Sequence, residues 1–138
     1  MTKYKFEHDR YGVYVPEVPF SSLVGRTLSA VDHSDEHILF VFEDGANGVL
    51  LIHDQDCCED VRVEDIVGYL GDLVGTPILR AEESSGDAPQ EYGSGTWTYY
   101  KLGTVKGDVD IRWLGTSNGC YSEGVSVYPT PVQKVEEQ

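Results

Sequence analysis

The chain has 138 residues, enough for one domain and too few for two ordinary ones. Its 24 acidic and 10 basic residues give a formal net charge of −14, a surface that phosphate repels, which argues against sequence-independent nucleic-acid binding. With 40% apolar residues it can build a core, yet no run approaches the roughly 18 apolar residues of a membrane span.

Residues 1–22 read as an irregular segment. Tyr4, Phe6, Tyr11, Tyr14 and Phe20 are interspersed there with Pro16 and Pro19, and no apolar run follows Lys3 and Lys5, so no signal peptide is expected. A single domain then spans 23–128. Thr27–Val31 and His37–Phe42 read as strands, Glu43-Asp44-Gly45 as a turn and Gly48–His53 as a third strand. Over 64–74 the period changes: Ile66, Val67, Leu70, Leu73 and Val74 fall at helical spacing, Glu64 and Asp65 suit a first turn, and Gly75 and Pro77 suit a stop. That predicts one helix. Pro77–Ala81 reads as a strand, Glu82–Gly95 as a long loop, and Thr96–Val105, Val109–Leu114 and Cys120–Tyr128 as three strands joined by turns, the second of which contains Ser117-Asn118-Gly119. Val109, Ile111 and Trp113 share one strand face, with Asp110 and Arg112 on the other. Residues 129–138 read as a frayed polar tail. The expected fold class is α+β: six or seven antiparallel strands in a meander or partly closed barrel, packed with one helix near 64–74.

Chemistry-bearing residues concentrate in two places. The first is His53-Asp54-Gln55-Asp56-Cys57-Cys58-Glu59-Asp60, in a connection of the kind that often carries function. Imidazole, thiol and carboxylate are metal-ligand types, so His53, Cys57 and Cys58 form a weak zinc alternative, but no CxxC, HExxH or second Cys/His cluster completes a tetrahedron. Neither a metal nor another cofactor is therefore expected. The bland reading is that the cysteines fill space and Asp56 and Glu59 satisfy free backbone N–H groups. Three cysteines, two of them adjacent, make a poor disulfide framework and point to a reducing cytoplasm. The second place is aromatic: Trp97, Tyr99, Trp113 and Tyr121 with Lys101, Arg112, Asn118 and Glu123 on the last strands and their turns. Such a set can stack on a flat ligand while Arg grips phosphate, although core packing and cross-strand pairing are its commoner uses.

The run His53–Glu59, followed by Val61, Glu64-Asp65-Ile66 and Gly68, resembles the signature of a family of small uncharacterised proteins, a domain of unknown function, found mostly in phages and prophages. Gly95–Lys101, Thr104, Lys106-Gly107, Ile111-Arg112-Trp113, Gly115, Ser117-Asn118-Gly119 and Tyr121-Ser122-Glu123 are similar to its second half. Cys120 departs from it, an aromatic residue being expected there. The resemblance carries over no catalytic residues. It implies a small protein of the host cytoplasm, of phage origin, and such acidic accessory proteins are frequently inhibitors of host defence.

The leading expectation is a non-enzymatic counter-defence protein that binds a host defence protein or sequesters its nucleotide-like signal. His53, Asp56, Glu59, Trp97, Tyr99, Lys101, Arg112, Trp113, Asn118, Tyr121 and Glu123 are the candidate contacts. A small metal-dependent enzyme using His53, Asp56 and Glu59 and a structural phage protein are the alternatives, and homo-oligomerisation is left open.

Overall fold

The computed structural model describes residues 2–6, 16–54, 58–119 and 122–136. Among them nine strands form two antiparallel sheets. The first sheet contains β1 (Thr2–Phe6), β2 (Leu28–His33), β3 (His37–Phe42), β4 (Asn47–Ile52) and β9 (Ser126–Glu136), in the order β1-β9-β4-β3-β2. The second contains β5 (Glu59–Val67), β6 (Arg80–Asp87), β7 (Ser94–Thr104) and β8 (Gly107–Ser117), in the order β5-β8-β7-β6.

β3 and β4 are apolar almost without alternation because both of their faces are buried. Ile38, Phe40, Phe42, Val49 and Leu51 face the second sheet, meeting Tyr100, Leu102, Val109, Ile111 and Trp113 in the main core. Leu39, Val41, Leu50 and Ile52 point the other way into a second cluster, against Tyr4, Phe6 and Val132. The ring of Phe6 on β1 lies 5.0 Å from that of His37 on β3, although two strands separate β1 from β3 in the sheet. The first sheet therefore curls into a half-barrel over this second cluster. β9 makes the curl possible: Ser126–Pro131 pair with β4 and Val132–Glu136 with β1. Pro129 and Pro131, which lack an N–H, thus lie where the strand has a partner on one side only.

The expectation of an α+β fold with a helix near 64–74 is corrected: the fold is nearly all β, and the described residues contain only two single 3₁₀ turns, Phe20–Leu23 and Leu70–Leu73. The helical spacing is a coincidence of a strand end followed by a tight turn. Ile66 pairs with Ile111 on β8, Val67 is 60% exposed, and only Leu73 of the supposed apolar face is fully buried. Gly68 breaks the pattern with φ +110°, a conformation that no helical residue adopts. Four further segments differ from the sequence reading. β6 extends into the supposed loop 82–95 as far as Asp87, Ser122–Val125 is irregular, and strand β9 continues through 129–136 while β1 orders part of 1–22. Cys58 is disulfide-bonded, where the odd cysteine count reads as a poor disulfide framework. No helix among the described residues is long and apolar enough to cross a membrane.

Candidate functional site

β4 ends at Ile52 and β5 begins at Glu59, so the connection between them passes from one sheet to the other. Its two flanking residues meet: His53 Nε2 lies 3.0 Å from Glu59 Oε1, with the side chains 5% and 0% exposed. His53 Nδ1 lies 2.7 Å from the Gly124 carbonyl oxygen, which can only accept, so this nitrogen carries a proton. One further proton lies between Nε2 and the carboxylate, whose Oε2 accepts the Cys58 N–H at 2.9 Å. Both ring nitrogens are thus engaged inside the protein, and the pair ties three stretches of chain together at one end of the sandwich.

The same end holds Glu123. Thr96 Oγ1 donates to its Oε1 at 2.9 Å, and the Ser117 and Ser94 hydroxyls both donate to its Oε2, Ser117 at 2.5 Å. Burial works against the charge of Glu123, yet these hydroxyls outweigh it and hold the carboxyl below the usual carboxylate range. The register of β7 against β8 places Ser94 opposite Ser117. Gly115 lets the chain at Glu123 lie against β8, since a Cβ there would run into the Glu123 carbonyl. His53, Cys58, Glu59, Thr96, Gly115, Ser117 and Glu123, all within the resembling segments, therefore converge on one polar knot that fastens 122–125 across both sheets. Beside it is a polar cleft of about 440 Å³ lined by Asp35, Glu36, His53, Asp60 and Arg62.

The second constellation faces solvent on the outer side of the second sheet. Trp97, Tyr99 and Lys101 alternate along β7, with Tyr99 opposite Arg112. The Trp97 and Tyr99 rings stack at 6.5 Å, and the Arg112 guanidinium stands 4.9 Å from the Trp97 ring centre. Arg112 and Lys101 form no ion pair with another described residue, and Arg112 Nε lacks a hydrogen-bond partner among the described residues. Next to them is a depression of about 270 Å³ rimmed by Asp65, Val67, Tyr99, Lys101, Asp110 and Arg112.

The candidates therefore separate. His53, Glu59 and Glu123 belong to the knot, Trp97, Tyr99, Lys101 and Arg112 to the outer face, and Asn118 is exposed in the turn after β8. Trp113 has no exposure and lies in the core with Ile111, so it faces away from Arg112. Asp56, Cys57, Cys120 and Tyr121 lie outside the described residues. Of the zinc alternative, Cys58 is in a disulfide and His53 is engaged through both nitrogens. No group of three or more His, Cys, Asp or Glu among the described residues is placed to hold a metal ion. Sequence reasoning missed Ser94, Thr96 and Ser117 as partners of Glu123. Only their place inside or beside the resembling segments pointed to them.

The fold and these two constellations define an all-β, two-sheet protein with a polar knot at one end and an aromatic, cationic platform on one face. The chain belongs to the family described as Domain of unknown function (DUF7448), matched over residues 21–127, a span that includes both constellations. No curated protein and no solved structure matches it.

Proposed function

We propose that this is a non-catalytic binding protein, a phage accessory protein acting in counter-defence, that engages a host protein through the outer face of β7 and β8. The observation that carries the reading is the stacked Trp97–Tyr99 pair with Arg112 over Trp97 on a face open to solvent. Trp, Tyr and Arg are the residue types that dominate binding energy at protein interfaces. The net charge of −14 favours a basic partner, steering its approach over long range. The knot supports a structural role for the His53–Glu59 segment, because its polar groups answer one another. Counter-defence of this kind acts in the host cytoplasm, where the Cys58 disulfide would be open to reduction.

A nucleotide-like signal is the second reading, favoured by Arg112 and Lys101 beside stackable rings. Asp65 and Asp110 on the same rim oppose phosphate. The test pairs affinity capture from host lysate, using wild type, Trp97→Ala and Arg112→Ala, with calorimetry against cyclic and ADP-ribose nucleotides. One host protein captured by wild type and lost with both variants, with association slowing as salt rises, is the expected result. Sub-micromolar nucleotide binding abolished by Arg112→Ala would replace the protein partner with a captured signal.

A further inference from the structure

A sheet that does not close leaves a row of backbone N–H and C=O groups along each edge, and proteins blunt such edges against unwanted pairing. The edge strands here are β1, β2, β5 and β6. β1 spans only Thr2–Phe6. β2 shifts register between Leu28 and Ala30, and its Leu28 carbonyl accepts the Gly75 N–H at 2.9 Å. β5 shifts register between Val63 and Asp65, and its Val63 N–H donates to the Asp35 carbonyl at 2.7 Å. β6 has none of these devices. Its register against β7 runs unbroken from Arg80 to Asp87, and it contains no proline.

The Ala88 N–H donates to the Gly95 carbonyl at 2.9 Å, in step with that register. In an antiparallel ladder alternate residues turn their backbone groups to the neighbouring strand, so Arg80, Glu82, Ser84 and Gly86 bond to β7. Glu83, Ser85 and Asp87 turn theirs outward. All three are exposed, and none bonds on that side to a described residue. What defends this edge is charge. Glu82 is paired with Arg80 at 2.9 Å, but no cation is paired with Glu83 or Asp87 among the described residues, and Glu17 adds its charge beside Glu83. A second copy would bring Glu83 and Asp87 against an identical edge whose one cation, Arg80, is already paired. The charge that keeps two copies apart is the charge that a basic segment would answer.

We propose that the outward edge of β6 at 83–87 takes an extended, basic segment of the protein partner, which adds to the second sheet as a further strand. Main-chain hydrogen bonds to Glu83, Ser85 and Asp87 supply affinity without regard to sequence. Lysine or arginine at alternate positions, on the face that Glu83 and Asp87 share, supplies selection. On the opposite face Gly86 lies across from Trp97, with open space where a side chain would stand. A long side chain on the added strand therefore reaches over Gly86 to the Trp97 ring. The edge thus continues the platform, and the proposal rests on the reading of a protein partner engaged there.

The probe is a short capped peptide alternating lysine and valine, titrated into the full chain and followed by amide chemical shifts and hydrogen exchange. Shifts centred on Glu83, Ser85 and Asp87, with slowed exchange of their amides, are expected. The same peptide with methylated backbone nitrogens keeps its charges but cannot donate, and should not bind. Ser85→Pro removes one outward N–H and none of the β6–β7 ladder, so it should weaken the peptide about tenfold or more at a melting temperature close to wild type. Glu83→Gln combined with Asp87→Asn leaves the backbone intact and should weaken it by a similar factor. Equal binding of the methylated peptide, or shifts centred elsewhere, would overturn the proposal. So would a wild-type dimer in sedimentation that Ser85→Pro dissociates, which would give the edge to a second copy. Trp97→Ala and Arg112→Ala, which decide the platform, should leave this peptide's affinity within about twofold, since valine is too short to cross Gly86. Loss of the peptide in those variants would also count against the edge, so edge and platform succeed or fail separately.

Discussion

Removing either half of the His53–Glu59 pair leaves the other buried with its hydrogen-bonding demand unmet. Deleting one member of a buried pair typically costs about 3–5 kcal/mol, so His53→Ala and Glu59→Ala should each lose an amount in or just below that range. The double variant should lose clearly less than the two single losses added together. Urea denaturation of the three variants measures this, and a His53→Ala protein as stable as wild type would show that the knot carries no stability. Glu123 makes a prediction about pH. Its carboxyl is held below the ordinary range in the folded chain, so the unfolded chain takes up a proton first as pH falls. The stability it contributes is thus complete above the ordinary carboxylate range and is lost as pH falls through the lowered folded value. A profile of melting temperature against acid pH should be shallower for Glu123→Gln than for wild type; parallel profiles would contradict the assignment. How much of this was legible from residues alone depends on spacing. The alternation of Trp97, Tyr99 and Lys101 follows from strand period, and the same rule places Trp113 with Val109 and Ile111 in the core, away from Arg112. The meeting of Ser94, Thr96 and Ser117 with Glu123 depends on a register between distant strands, which no local pattern encodes.

The segment 64–74 separates two physical accounts of one sequence. In a helix, Gly68→Ala would stabilise by roughly 1 kcal/mol. In the observed fold Gly68 has φ +110°, and a Cβ there would come within 2.5 Å of the Asp108 carbonyl oxygen. Gly68→Ala should therefore destabilise, by about 2 kcal/mol or more, since both the backbone strain and the clash must be relieved. Thermal unfolding decides the sign, and a stabilised variant would restore the helix. β3 and β4 were legible as strands because a short apolar run between turn residues has few other uses. β6 and β9 were not. Exposed Glu, Ser, Gly and Asp in β6, and Pro with charged residues in β9, carry the composition of loops, and they are strands because a neighbouring strand supplies their pairing.

At the scale of the whole molecule the two sheets differ in kind. The second sheet carries the proposed contact platform on its outer face, while the central strands of the first are buried on both sides and serve as support. The sheets also differ in how the chain reaches them. β5 to β8 follow one another without interruption, whereas the first sheet is split, its β4–β9 ladder joining Asn47 to Pro131 and its β1–β9 ladder joining Thr2 to Glu136. Closing a ladder across so long an intervening chain is entropically costly, and the cost falls once that chain has already become compact. The order of assembly follows: the hairpins of β6–β7–β8 and β2–β3–β4 form from nearby residues, and β9 enters last, curling the first sheet and drawing 122–125 onto the knot. Folding rate should thus follow the docking of one proline-bearing strand, and changes confined to β9 should alter how fast the native state is reached, measured by stopped-flow refolding, without altering the platform that would meet a partner.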